Sequence, residues 1–147
     1  MDFIPVMSSG RPIIGLPDVP VPLAEAMAAT AVMYGVSGFK PPWVSYVAAQ
    51  DGVCVGICSF KSAPVDDAVE IACFTLPEHE GNGYGTRMLN FLLKIAASGK
   101  PAPAVTAQTL PEENASTHIL RKLGFEHAGS IEHPADGLAW QWRRPHS

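Results

Sequence analysis

The chain of 147 residues is 47% hydrophobic and 16% charged, with a net charge of −4. That length makes one domain, expected to span 1–147 and to bury roughly two thirds of its unfolded surface. The acidic balance argues against a nucleic-acid partner, whose phosphates need a basic face, and no apolar run nears the roughly eighteen residues of a membrane span.

Residues 1–21 carry Pro5, Pro12, Pro17 and Pro20 and read as an extended N-terminal arm. Their start has no basic signal-peptide opening, so a cytoplasmic protein is expected. Residues 22–34 read as a helix, with proline at the start and Leu23, Met27, Ala31 and Tyr34 along one face. Gly35 and Gly38 close it. Residues 43–49 and 53–60 read as strands joined at Gln50-Asp51-Gly52, a hairpin signal. Residues 63–67 form a turn and residues 68–76 a further strand. Residues 84–97 place Met88, Leu89, Leu92, Ile95 and Ala96 on one helical face, and Gly99-Lys100-Pro101 stops them. Residues 104–110 read as a strand, and residues 111–123 hold a short helix. Residues 127–133 and 138–143 pair around Pro134-Ala135-Asp136-Gly137.

Two strand–helix units in succession, the first starting at Ala68, require a parallel pair in mid-sheet. The fold class is therefore α/β (α+β): a mixed, mostly antiparallel central sheet with helices on both faces. Cys54, Cys58 and Cys73 are odd in number, lie in strands and have no zinc spacing, so they read as free reduced thiols. His79, His118, His127, His133 and His146 likewise form no metal spacing. No metal is expected.

The most telling stretch is Pro77-Glu78-His79-Glu80-Gly81-Asn82-Gly83-Tyr84-Gly85-Thr86, where a strand hands over to a helix. A backbone without Cβ atoms curls tightly there and aims several N–H groups at one anion. The helix N-terminus adds about half a positive charge. The spacing fits neither the P-loop nor the dinucleotide fingerprint. A plain tight turn is the competing reading.

Downstream, Val105-Thr106-Ala107-Gln108-Thr109-Leu110-Pro111-Glu112-Glu113-Asn114-Ala115-Ser116 is followed by Ile119-Leu120-Arg121-Lys122-Leu123-Gly124-Phe125. This resembles the closing motif of the GNAT N-acetyltransferase superfamily, in particular the branch with the ribosomal-protein N-terminal (RimJ/RimL-like) acetyltransferases. Val55-Gly56-Ile57-Cys58-Ser59-Phe60-Lys61 and Val69-Glu70-Ile71 are similar to that branch's middle strands. The resemblance covers residues 43–143. It implies the acyl-CoA N-acyltransferase fold, with two central strands splayed around a pantetheine arm, and acetyl-CoA as co-substrate. The segment before the first hairpin is short against typical members. The acceptor pocket is then either open or completed by a partner subunit.

By this resemblance the backbone of Phe74, Thr75 and Leu76 holds pantetheine and polarises the thioester. The N–H groups of Glu80, Gly81, Asn82, Gly83, Tyr84, Gly85 and Thr86 bind the pyrophosphate, with the Thr86 hydroxyl adding a bond. Glu80 departs from the family's usual Arg or Gln, so its side chain is expected to point away. Counted back from Gly124, Ser116 matches the branch's serine, and Glu113 replaces the asparagine that bonds pantetheine. Either Asn114 substitutes or that contact is lost. Helix capping is the competing role for Asn114 and Ser116. Leu120 stands where many relatives carry an acid tyrosine, which leaves Ser116 or a water to protonate the leaving thiolate.

Transfer to an amine requires the amine to be neutral. Near pKa 10.4 that costs about 4–5 kcal/mol at pH 7, near 7.8 only about 1, so a general base helps basic amines most. Glu70, a carboxylate inside an apolar strand and opposite Val69 and Ile71, is the candidate; a solvated surface charge is its bland alternative. Trp140 and Trp142 share one strand face and read as core or pocket wall. No Gly-x-Ser-x-Gly elbow or Cys/His pair suggests covalent catalysis. The expected activity is direct acetyl transfer to a primary amine, of a small molecule or of a peptide N-terminus, with a lean towards the small molecule. Glu80, Glu113 and Leu120 keep open a non-catalytic acyl-CoA-binding or sensing module. A homodimer is expected, because a proline-rich arm is costly to order without a surface to pack on.

Overall fold

The structure is a computed structural model that describes all residues except Pro17, Asp136, His146 and Ser147. Pro17 of the expected arm, Asp136 of the expected last turn and His146 thus lie outside the described residues. The elements are β1 (Asp2–Pro5), α1 (Val21–Ser37), β2 (Ser45–Gln50), β3 (Val53–Phe60), β4 (Ala68–Thr75), a 3-10 turn (Pro77–His79), α2 (Tyr84–Ala97), β5 (Ala104–Thr109), α3 (Ala115–Lys122), β6 (Glu126–His133) and β7 (Gly137–Arg144).

One seven-stranded sheet runs β1-β2-β3-β4-β5-β7-β6. β4 and β5 are its parallel pair and the other neighbours are antiparallel. The β2–β3 turn has positive φ at both Asp51 and Gly52, which matches the right-handed twist of the strands it joins.

The opening residues correct the expectation of an extended arm. Asp2–Pro5 pairs with β2 as an edge strand, and Val6 is fully buried. Pro5 is tolerated because an edge strand can spare an N–H. The Tyr34 hydroxyl ties α1 to this edge: it donates to the Val6 carbonyl at 2.9 Å and accepts from the Ser45 N–H at 2.8 Å.

Strand alternation divides the core. On one face Tyr46, Cys58, Phe60, Val69, Ile71, Val105 and Trp142 pack against Met88, Leu89 and Leu92 of α2 and Leu120 of α3. On the other, Leu23 and Met27 of α1 pack against Val47 and Ile57. β5 and β7 present Thr106, Gln108, Gln141 and Arg143 on this second face, in register and at least partly exposed. At Gly56 the strands press close: a Cβ there would sit 2.4 Å from the Phe74 carbonyl oxygen and 3.1 Å from Met88 Cε. Any side chain at 56 must therefore push β4 or α2 away.

Candidate active site

The parallel ladder runs from Ala68↔Ala104 to Ile71↔Ala107 and then stops. β4 continues to Thr75 paired only with β3, while Gln108 and Thr109 of β5 pair with β7. The strands part at Ile71 and Ala107, and the gap opens a cleft of about 570 Å³ between β4, β5, α2 and α3.

The glycine segment closes one end of this cleft. Gly81 and Gly83 have φ of 81° and 78°, a left-handed conformation that costs other residues roughly 1–2 kcal/mol. Gly83 is the N-cap of α2. Glu80 N–H donates to the Pro77 carbonyl, and the next backbone donor in the chain is Arg87 N–H, to the Gly83 carbonyl. Between them the N–H groups of residues 81–86 meet no acceptor among the described residues. Such N–H groups at a helix start are an anion site without an anion's partner already built in. The exposed Asn82 braces the loop, donating to the carbonyls of His79 at 3.0 Å and Glu80 at 3.4 Å.

Of the residues singled out in the sequence, the cleft is lined by Phe74, Thr75, Glu80, Gly81, Gly83, Tyr84, Gly85, Asn114 and Ser116. Leu76, Asn82, Thr86 and Glu70 are not part of that lining. Leu76 is a correction: it is 1% exposed beneath α1, and its N–H is taken by the Val55 carbonyl. Thr86 lies half-buried on α2, two residues past the first helical position. Glu70 stands one residue before the strands part, on the face away from α2, with Lys61 Nζ 3.7 Å from its carboxylate.

Asn114 is the N-cap of α3. Its Oδ1 accepts from Thr117 N–H at 3.1 Å, while Thr117 Oγ1 accepts from Asn114 N–H at 3.0 Å. The capping role is therefore real, and the amide NH2 meets no acceptor among the described residues. Glu113 turns to Arg121 instead of the cleft. The Arg121 guanidinium holds its carboxyl below the usual range, helped by the Thr117 hydroxyl. Ser116 is exposed on the cleft wall, and Leu120 brings no hydroxyl there. Trp142 is fully buried, its Nε1 donating to Thr109 Oγ1 at 2.9 Å: core, not platform.

The sequence reading missed Cys73, His79, Gln108 and Thr109, which also line the cleft. Gln108 and Thr109 were legible as polar residues in an apolar strand, but the point of parting was not. Cys73 is exposed as a residue, yet desolvation of the thiol itself pushes its pKa up to about 12. A thiol so rarely ionised makes a poor nucleophile. Among the described residues, no group of three or more His, Cys, Asp or Glu could hold a metal, and no helix is long and apolar enough to cross a membrane.

The fold recurs in solved structures. A ribosomal-protein-alanine N-acetyltransferase from Brucella melitensis superposes with a TM-score of 0.65 at 19% identity, over 83% of this chain and 78% of that one. A spermidine N-acetyltransferase from Vibrio cholerae gives 0.66 at 14%, over 82% and 76%. The RimL ribosomal alpha-N-protein acetyltransferase, in complex with coenzyme A, gives 0.66 at 14%, over 85% and 72%. At such identities they establish a shared GNAT fold. No curated protein sequence is similar enough to count as a match. A family model described as the acetyltransferase (GNAT) domain matches residues 13–126. The chain belongs to the GNAT acetyltransferase family.

Proposed function

We propose that this protein is a soluble, cytoplasmic N-acetyltransferase that moves an acetyl group from acetyl-CoA directly to a primary amine. The observation that carries the reading is the row of unspent N–H groups at residues 81–86, at one end of the cleft that opens where β4 and β5 part. The residues fit coenzyme A: a nest for phosphate, then a partly apolar cleft bordered by strand edges for a pantetheine arm. Family membership and the coenzyme A complex of a structural neighbour support the same ligand.

Bound acetyl-CoA supplies a thioester whose C–S bond breaks as the amine's N–C bond forms. The N–H groups of Gly81, Gly83, Tyr84 and Gly85 hold phosphate oxygens, and the Asn114 NH2 offers a bond to the pantetheine amides. Glu70 takes the proton of the acceptor amine, directly or through water, from the face opposite α2. The Ser116 hydroxyl or a water returns a proton to the departing thiolate.

The test is thiol release from acetyl-CoA with a panel of small amines, amino acids and peptide N-termini. Amine-dependent release is the expected result. Coenzyme A binding with no release for any amine would leave only a binding module.

A further inference from the structure

A second cavity, of about 340 Å³, opens beside the cleft, between the β6–β7 hairpin, the end of β5 and the residue that follows β3. Its walls include Lys61, His133, Leu110, Leu138 and Ala139, and Gln108 borders both this cavity and the cleft. Gln108 Oε1 and His133 Nε2 lie 2.7 Å apart, which fixes the carboxamide at the junction. Gln108 of its lining stands on the sheet face away from α2, as does Glu70, which lies outside the lining and reaches it through Lys61. Lys61, 52% exposed, pairs there with Glu70.

We infer that this cavity is the acceptor subsite and that the acceptor is an amino-carboxylate the size of a free amino acid. The inference rests on the acetyltransferase reading above. The argument is one of charge matching. The Lys61–Glu70 pair has no net charge but a definite polarity, and a zwitterion laid against it in the opposite sense satisfies both ends. Its ammonium takes Glu70 and its carboxylate takes Lys61. A plain amine must win Glu70 away from Lys61 and leaves the lysine unmatched. A peptide N-terminus does the same, because an amide stands where the carboxylate would be. A polyamine adds a second positive charge beside Lys61. Leu110 and Leu138, 65% and 50% exposed, offer an apolar wall to a side chain.

The experiment compares the common amino acids, each with its own amide and its own decarboxylated amine, against protein saturated with coenzyme A or acetyl-CoA. Turnover is read as thiol release and binding by calorimetry. For the best acceptor, the free acid is expected to exceed its amide and its amine roughly tenfold in kcat/KM, as a charge-assisted contact supplies. Lys61→Gln should collapse that ratio towards one, and Lys61→Glu should invert it. A ratio near one in the wild type, or an unchanged ratio in Lys61→Gln, overturns the inference. If nothing is acetylated although coenzyme A binds, the transfer reading fails on its own. The inference is then decided by calorimetry: Lys61-dependent binding of a free amino acid upholds it, and no such binding overturns it.

Discussion

At the scale of single residues, Glu70 is the sharpest proposal. It sits beside the point where the strands part, held there by the β4–β5 ladder through its pairing with Thr106 rather than by a loop. Glu70→Gln keeps the shape and removes the base. The expected loss in kcat/KM is about 10²-fold at pH 7. It shrinks as pH rises, because the amine then deprotonates without help. A variant fully active at pH 7 would show that the carboxylate only partners Lys61. Asn114 offers a cleaner separation of roles. Asn114→Ala removes the cap acceptor and should cost about 1 kcal/mol of stability in denaturant titration. Asn114→Asp keeps an acceptor at a favourable helix start but lacks the NH2 and adds negative charge. It should hold wild-type stability while weakening coenzyme A binding. Equal binding by Asn114→Asp and wild type would confine Asn114 to capping.

At the scale of elements, local chemistry made much of the fold readable. β3 runs Val53–Phe60 and α2 runs Tyr84–Ala97, as their periodicity indicates, because turn glycines and a helix-stopping Gly99-Lys100-Pro101 bound them tightly. β1 was hidden: four residues carrying a proline hold too little alternation to be seen, and their strand state comes from pairing with β2. The glycine nest was legible because positive φ and an unsatisfied helix start have local signatures. Leu76 was misplaced for the opposite reason. Its burial comes from α1, an element distant in sequence. Gln108 escaped notice because the end of the β4–β5 ladder is a property of two strands at once. The Lys61–Glu70 pair has the same origin, a contact between β4 and the residue that follows β3 that no single segment announces.

At the scale of the whole molecule, α1 is unusual. Its outer side shows Val21, Val32 and Val36 at 69%, 71% and 86% exposure, and Glu25 is the only charge along Val21–Ser37. A helix apolar on all sides is normally covered. Exposed Glu25, at helical spacing with Val21 and Val32, is the one charge on that face, so the face offers a charged partner little to read, whereas a second copy supplies a mostly apolar match. The expected homodimer, argued at first from an extended arm that the structure replaces with β1, is better placed here. Light scattering at micromolar concentration should give about twice the 15.6 kDa chain mass, and Val32→Lys with Val36→Lys should halve it. A wild-type protein that scatters as a single chain removes the dimer from the account.

The central claim is that the strand–glycine–helix junction is a phosphate cradle at the mouth of an acyl-CoA cleft. Calorimetric titration of coenzyme A into the wild type and into Gly83→Val, each shown folded by circular dichroism, tests it most directly. The account predicts saturable binding at one site per chain in the wild type. It predicts loss of binding in the variant, where a β-branched residue cannot hold the φ of 78° that points the N–H groups together. Undiminished binding by a folded Gly83→Val protein, or no binding by the wild type, would contradict it.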